Sequence, residues 1–371
     1  MTDNRKIIVI AGITGNQGGS VARTFLSDPV LRKEYRIRGI SRDPSSPASK
    51  ALLNSGVEEV VYADFQTPSS SLDAVFANAA VIFSVTDFWA PFTKAIDEAF
   101  AAFGSSPSDL LKQAKARNLR SDHVFPHPTP GERAYNLEYE QGQHIADAAA
   151  RVPSLERFIV STLNSPRKWS NNDARFSRLW HYESKADMVA YVRSQHPSLA
   201  AKLSTLIMGV YYTSWRFSPL LMPARSPEGG YRLALPCNPH RAVPLVDARR
   251  DTGVFVRALL RAEPNVTLLG ASAEVSWSEY MGVWGRVLGV EKAAFEQVSV
   301  QSFDDALPGG YGLELADMFA FMGEVGFDGE DPGVRRREEL GIAAEVTPLE
   351  RFIAEEDWGV VGVERAGRSA L

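Results

Sequence analysis

The chain has 371 residues, a hydrophobic fraction of 44%, a charged fraction of 23% and a formal net charge of −5, the profile of a soluble globular protein with one large or two modest domains. Neither a basic excess nor a basic stripe is present, which argues against a nucleic-acid binder, and no apolar stretch approaches the roughly 18 residues of a membrane span. One cysteine, Cys237, excludes an internal disulfide framework, and the N-terminus enters an apolar run with no secretory leader, so a reducing, cytoplasmic location is expected.

Lys6 to Ala11 is a continuous apolar run, as in a buried parallel strand. Gly12 to Gly19 reads as a turn and Ser20 to Ser27 as a helix. Arg36 to Ser41 is a second strand, ending at Arg42-Asp43-Pro44, and Ala48 to Asn54 a short helix. Glu58 to Ala63 is a third strand ending at Asp64, Leu72 to Asn78 a helix, and Ala80 to Val85 a fourth strand. This alternation predicts an α/β fold, a Rossmann-type doubly wound parallel sheet with right-handed crossovers. Residues 88 to 134 break the pattern. They begin Phe88-Trp89-Ala90-Pro91-Phe92, carry helical patterns near 93–103 and 108–117, and end in a proline-rich turn. Their aromatic density predicts a packed cap over the sheet edge, with a mobile loop as the alternative. A helix at Leu137 to Arg151, a strand at Arg157 to Thr162, a helix at His181 to Ser194 and a strand at Lys202 to Met208 follow. Beyond them lie a hairpin candidate at Glu228-Gly229-Gly230, a helix at Asp251 to Ala262, a strand at Val266 to Leu269 and a helix at Ser278 to Leu288. The expected division is a Rossmann domain over 1–210, including the 88–134 insertion, and a smaller C-terminal α/β substrate domain with terminal helices over 211–371.

Gly12-Ile13-Thr14-Gly15-Asn16-Gln17-Gly18 spaces its glycines G-x-x-G-x-x-G between a strand and a helix, the context a dinucleotide turn requires. Glycine permits positive φ and lets the backbone approach a diphosphate. The helix that follows offers unpaired N–H groups and the positive end of its dipole. A plain tight turn is the alternative. Arg42 ends the second strand, where an acid would bind the adenosine ribose of NAD and an arginine suits the 2′-phosphate of NADP. Asp43 beside it either accepts from a ribose hydroxyl or starts the turn at Pro44. Asp64 either reaches the adenine edge or caps its strand end.

The turn GITGNQGG, Ser41-Arg42-Asp43-Pro44, Thr86-Asp87-Phe88-Trp89, Gln141 to Ala149, Lys168-Trp169-Ser170 and His181-Tyr182-Glu183-Ser184-Lys185-Ala186 together resemble the NmrA-like family of atypical short-chain dehydrogenases, fungal members above all. The resemblance runs from residue 6 to about 290. It implies an NADP(H)-binding fold with a smaller C-terminal domain closing a cleft. It implies that Gly12, Thr14, Gly15, Asn16, Gln17 and Gly18, then Arg42, Asp64, Phe65, Thr86 and Lys185, line the cofactor. Tyr211-Tyr212-Thr213-Ser214 matches the stretch near the nicotinamide, with serine at a position where relatives often carry asparagine. The family divides between redox sensors that bind NADP(H) without turnover and reductases of carbonyls, imines or enones.

Short-chain dehydrogenases generally use Tyr-x-x-x-Lys, in which the lysine lowers the tyrosine pKa so that the phenol can exchange a proton with substrate. Here His181 stands four residues before Lys185 and Tyr182 three before. Both share a helical face with the lysine but point about 100° apart. His181 and Tyr182 are the first candidates for the acid, with Tyr211 and Tyr212 behind them; His181 is alternatively a helix-start residue that never meets substrate. Phe88, Trp89, Trp169 and Trp215 are expected to wall a pocket for an apolar substrate, or else to pack a cap among themselves. The six histidines show no zinc-ligand spacing, so no metal is expected. The expected activity is NADP(H)-dependent reduction of a carbonyl, imine or conjugated double bond in a small apolar molecule, as in fungal alkaloid or polyketide biosynthesis. The alternatives are a non-catalytic NADP(H)-sensing regulator and a reductase that also templates a rearrangement or Diels-Alder-type cycloaddition. The expected partner is the small substrate, with neither nucleic acid nor membrane; oligomeric state is left open.

Overall fold

Eight parallel strands make the central sheet of the computed structural model, which describes residues 3–104 and 106–363. They are β1 (Lys6–Ile10), β2 (Tyr35–Ser41), β3 (Glu59–Tyr62), β4 (Ala79–Ser84), β5 (Arg157–Thr162), β6 (Leu203–Met208), β7 (Thr267–Gly270) and β8 (Val334–Arg335), in the order β3-β2-β1-β4-β5-β6-β7-β8. All six residues of β4 are buried, which its unbroken apolar run anticipates. The strand order reverses between β1 and β4, and ligands of open α/β sheets bind beyond the strand ends at such a switch point.

Alternation along β1 assigns the two faces. Ile8 and Ile10 join a core with Val21 and Phe25 of helix α1 (Asn16–Ser27) on one face. Ile7 and Val9 face the other core, built from Ile145 and Ala146 of a long helix, Pro130–Ala150, and Met188 and Val192 of another, Trp180–Gln195. The N-terminal half adds one further helix that bears on the site, Trp89–Phe103, so these three are labelled α2 (Trp89–Phe103), α3 (Pro130–Ala150) and α4 (Trp180–Gln195). Glycine sets how closely helices cross. A Cβ on Gly142 of α3 would lie 2.4 Å from Met188 Sδ of α4, and one on Gly131 would lie 2.3 Å from Trp180 Cδ1. Helix α5 (Ala248–Arg261) lies against α1, where a Cβ on Gly253 would lie 2.1 Å from Thr24 Oγ1.

The chain departs from the expected division at residue 210. β7 and β8 pair in register beside β6, and α5 packs on α1, so the C-terminal half both completes the Rossmann sheet and forms its own lobe. A two-residue strand such as β8 leaves no periodic signal in sequence. The C-terminal lobe has its own core, rich in Trp277, Trp284, Phe319, Phe321 and Trp358, around helix α6 (Tyr311–Glu324). The Glu228 to Gly230 turn does join a hairpin, Ala224–Arg225 with Tyr231–Leu235.

The 88–134 excursion is a packed lobe. It sits against the C-terminal lobe rather than over a sheet edge, because it leaves from β4, a central strand. Arg120 donates to Asp317 on α6, the Ser121 N–H donates to Asp304 over 3.1 Å, and Lys115 pairs with Asp305 at 3.0 Å. The end of the expected 211–371 division, beyond residue 363, lies outside the described residues.

Candidate functional site

The phosphate turn is anchored from below and open above. Ile13 is fully buried and sits on Gly39 of β2, where any Cβ would collide with it. The Ala11 N–H donates to Phe83 O of β4 and the Ile13 N–H to Ile40 O of β2, at 2.9 and 3.2 Å. Gly12 takes φ +59°, a conformation that favours glycine. A Cβ on Gly18 would lie 2.4 Å from Gly12 O and 2.7 Å from Ala11 O, so glycine there lets α1 abut the strand end. Helix α1 begins at Asn16, with no side-chain cap and no acid in its first turn. Gly12, Thr14 and Gly15 are exposed around it. The first N–H groups of α1 and its dipole are thus free for an anion, and the residues fit a diphosphate.

Arg42 is exposed and makes no hydrogen bond or ion pair among the described residues, so its guanidinium is available beside β2. Asp43 accepts from the N–H and Oγ of Ser45, at 3.0 and 2.6 Å; it starts the turn, and Ser45 holds its carboxyl below the usual carboxylate range. Asp64 similarly accepts the Gln66 N–H at 3.0 Å. Phe65 is half-buried, and its carbonyl accepts from His144 Nδ1 at 2.8 Å.

Lys185 and Thr86 converge on a residue that sequence reasoning missed. Glu138 of α3 is 1% exposed and accepts from Lys185 Nζ at 2.5 Å, Thr86 Oγ1 at 2.7 Å and Ser184 Oγ. The close α3–α4 crossing at Gly142 brings it there. Arg249, at the start of α5, is the second residue missed: its Nε donates to Asn16 Oδ1 over 2.9 Å, which places a guanidinium beside the uncapped end of α1. Gln17 Nε2 donates to the Tyr211 hydroxyl at 2.7 Å, tying the turn to the segment after β6.

The other candidates separate. Tyr182 is 1% exposed, packs edge-on to Phe321 and Phe327, and has a sealed hydroxyl without a partner. It faces the C-terminal core and cannot meet a substrate oxygen unless that core opens. Tyr212 is also turned inward, donating to Thr347 O at 3.2 Å and packing on Phe352, away from the phosphate turn. His181 stays beside Lys185, its ring 4.9 Å from Trp89 and 5.8 Å from Phe88. Its Nδ1 lies 2.6 Å from Glu314 Oε1 of α6.

The expected aromatic wall is dispersed by packing. Phe88 is fully buried against Phe92, and Trp215 stacks on Trp358 at 4.8 Å. Trp89 and Trp169 are half-buried, the latter against Gly329. Tyr211, Trp215, Trp277 and Phe319 line a cavity of about 30 Å³, a water-sized space. Aromatics near the strand ends are used to join the lobes, which is why their sequence positions overstate the pocket. Among the described residues no three His, Cys, Asp or Glu side chains gather in a way that could hold a metal ion.

The model of the NmrA-like family matches residues 4–99 and 110–355. An NmrA-like family domain-containing protein of Dictyostelium discoideum is 24% identical over 87% of this chain and 89% of its own. The NmrA-like family domain-containing oxidoreductase hkm9 of Aspergillus hancockii is 35% identical over 52% of this chain and 44% of its own. Among solved structures, NmrA, a negative transcriptional regulator in complex with NADP, superposes with a TM-score of 0.65 at 16% identity, covering 95% of both chains. With the family model spanning nearly the whole chain and the doubly wound sheet agreeing, the chain belongs to the NmrA-like family.

Proposed function

We propose that this chain is an NADP(H)-dependent oxidoreductase that reduces a carbonyl, imine or conjugated double bond in a small apolar molecule, in fungal secondary-metabolite chemistry. The observation that carries the reading is the uncapped start of α1 with Arg249 held on its Asn16, together with the exposed Arg42 that follows β2. The α1 N–H groups and Arg249 would hold the diphosphate, and Arg42 the 2′-phosphate. Lys185, on the strand-end side of α4, would hold the ribose. When bound, the cofactor supplies hydride; the protein orients it and excludes water. The oxidoreductase name of the Aspergillus relative supports the same reading. The test is loss of NADPH absorbance against a panel of aromatic ketones, cyclic imines and enones, with NADPH and NADH affinities measured in parallel. Turnover with NADPH preference is the expected result.

A non-catalytic sensor is the second reading, and the sealed Tyr182 favours it, since the usual phenolic acid is absent from the site. Tight NADPH binding without turnover across the panel, together with a partner whose affinity follows the NADPH/NADP⁺ ratio, would establish it in place of the first.

A further inference from the structure

Helix α4 carries Lys185, and its N-terminus is finished by a residue from 133 positions later in the chain. Leu179, at its N-cap, offers no side-chain cap. Glu314 supplies one, accepting the His181 N–H at 2.9 Å. The same Oε1 lies 2.6 Å from His181 Nδ1, and the two side chains are 5% and 3% exposed. The far nitrogen, Nε2, has no partner among the described residues, and it is not one of the sealed, unpartnered atoms. The residual exposure of His181 therefore reaches it. Lys185 follows one helical turn later, and Trp89 and Phe88 flank the ring.

We propose that His181 and Glu314 form a proton-delivering pair for this site, with Glu314 as the positioning residue and His181 Nε2 as the donor to substrate. The proposal rests on the oxidoreductase reading above. In the step it describes, the substrate carbonyl carbon would gain the hydride that a bound reduced nicotinamide supplies, and its π pair would move to oxygen. That oxygen takes the Nε2 proton, Nδ1 takes the Glu314 carboxyl proton, and a carboxylate remains. After product leaves, Nε2 takes a proton from water as Nδ1 returns its own to Glu314. Burial favours this protonation pattern. It pushes the Glu314 carboxyl up to about 8, and burial with Lys185 nearby pushes the imidazole down to about 3. Both groups are then neutral at pH 7, with the acid proton on Glu314. The charged groups facing the pair are Lys185 on α4 and Glu138 on α3. Arg120 and Asp122 of the insertion and Asp317 on α6 lie around Glu314.

Glu314→Gln tests the pair, because the amide oxygen still caps α4 but the side chain has no acid proton. In the wild type kcat is expected to fall as pH rises through about 8. In Glu314→Gln that limb vanishes and kcat drops about a hundredfold, with NADPH affinity kept and the fold unchanged by circular dichroism. His181→Gln is expected to show the same loss. A Glu314→Gln enzyme with wild-type kcat and an unchanged alkaline limb overturns the proposal. Side-chain nitrogen NMR of His181, assigned by its absence in His181→Gln, gives a readout without turnover. The expected result is one transition near the Glu314 value, lost in Glu314→Gln. An imidazole titrating at the ordinary value of about 6.5, indifferent to Glu314, overturns the pair whatever the activity. If the wild type reduces no member of the panel, the oxidoreductase reading fails with it, and the NMR titration alone decides whether the two groups share a proton.

Discussion

Arg42 follows the end of β2 and Arg249 meets Asn16 at the start of α1, and only the first was readable in advance. Arg42 follows a strand and sits at a fixed place in a known unit. Arg249 lies 233 residues from its partner Asn16, and Glu138 lies 47 from Lys185, so neither contact leaves a local signal. The same holds for Glu314, which no spacing links to His181. In the proposed role of Arg42 on the 2′-phosphate, its removal takes away charge-assisted bonds of about 1.5–3 kcal/mol. Arg42→Ser is therefore expected to weaken NADPH binding about ten- to a hundredfold and leave NADH binding unchanged, as fluorescence titration at low salt would show. Lys185→Met leaves the Glu138 carboxylate buried without its cation, and breaking such a pair costs about 3–5 kcal/mol. Urea denaturation should show that loss, and the double variant Lys185→Met/Glu138→Gln should recover part of it. A double variant no more stable than the single one would mean that Glu138 is satisfied by Thr86 and Ser184 alone.

Helix α1 starts four residues before its sequence signal, at Asn16 instead of Ser20. Gly18 and Gly19 read as turn residues because glycine is a poor helix former. They are helical because the strand-to-helix approach leaves no space for a side chain at Gly18. The atoms a Cβ would strike there are backbone carbonyl oxygens, which cannot swing aside. Gly18→Ala is thus expected to destabilise the fold by about 1–3 kcal/mol and to lose NADPH binding. Gly15→Ala, whose nearest contact would be 3.2 Å, should be milder on both counts. Equal melting temperatures for the two variants would contradict this ordering. Long, periodic elements such as α3 were legible from Leu137 onward. The capping box of Thr129 and Glu132, with Pro130, starts it a full turn and more earlier than its apolar periodicity suggests.

At the scale of the molecule, the doubly wound order was legible and the domain boundary was not. β7 and β8 belong to the sheet although the chain reaches them only after entering the C-terminal lobe. Joining the lobes buries acids. Burial raises Asp317 to about 6, against the opposing pull of Arg120, and Glu314 to about 8. Each binds its proton more tightly when folded than when unfolded. Their contribution is complete below about pH 4 and is lost as pH rises through about 6 and then about 8. The melting temperature is expected to decline over that window, and Glu314→Gln should flatten its upper part; a midpoint that rises toward pH 8 would refute the assignment. The short strand β8 has a consequence of another kind. It pairs with Thr267 and Leu268 and so covers the outer side of β7, a strand of Thr-Leu-Leu-Gly with three buried residues. Two residues of pairing, backed by the Arg335–Glu339 bridge at 2.6 Å, stand between that apolar strand and other copies of the protein. A strand left bare in this way templates further strands. Arg335→Pro, which breaks this two-residue pairing and leaves Phe352 and Trp358 in the C-terminal core, should therefore self-associate into higher-order species on size exclusion.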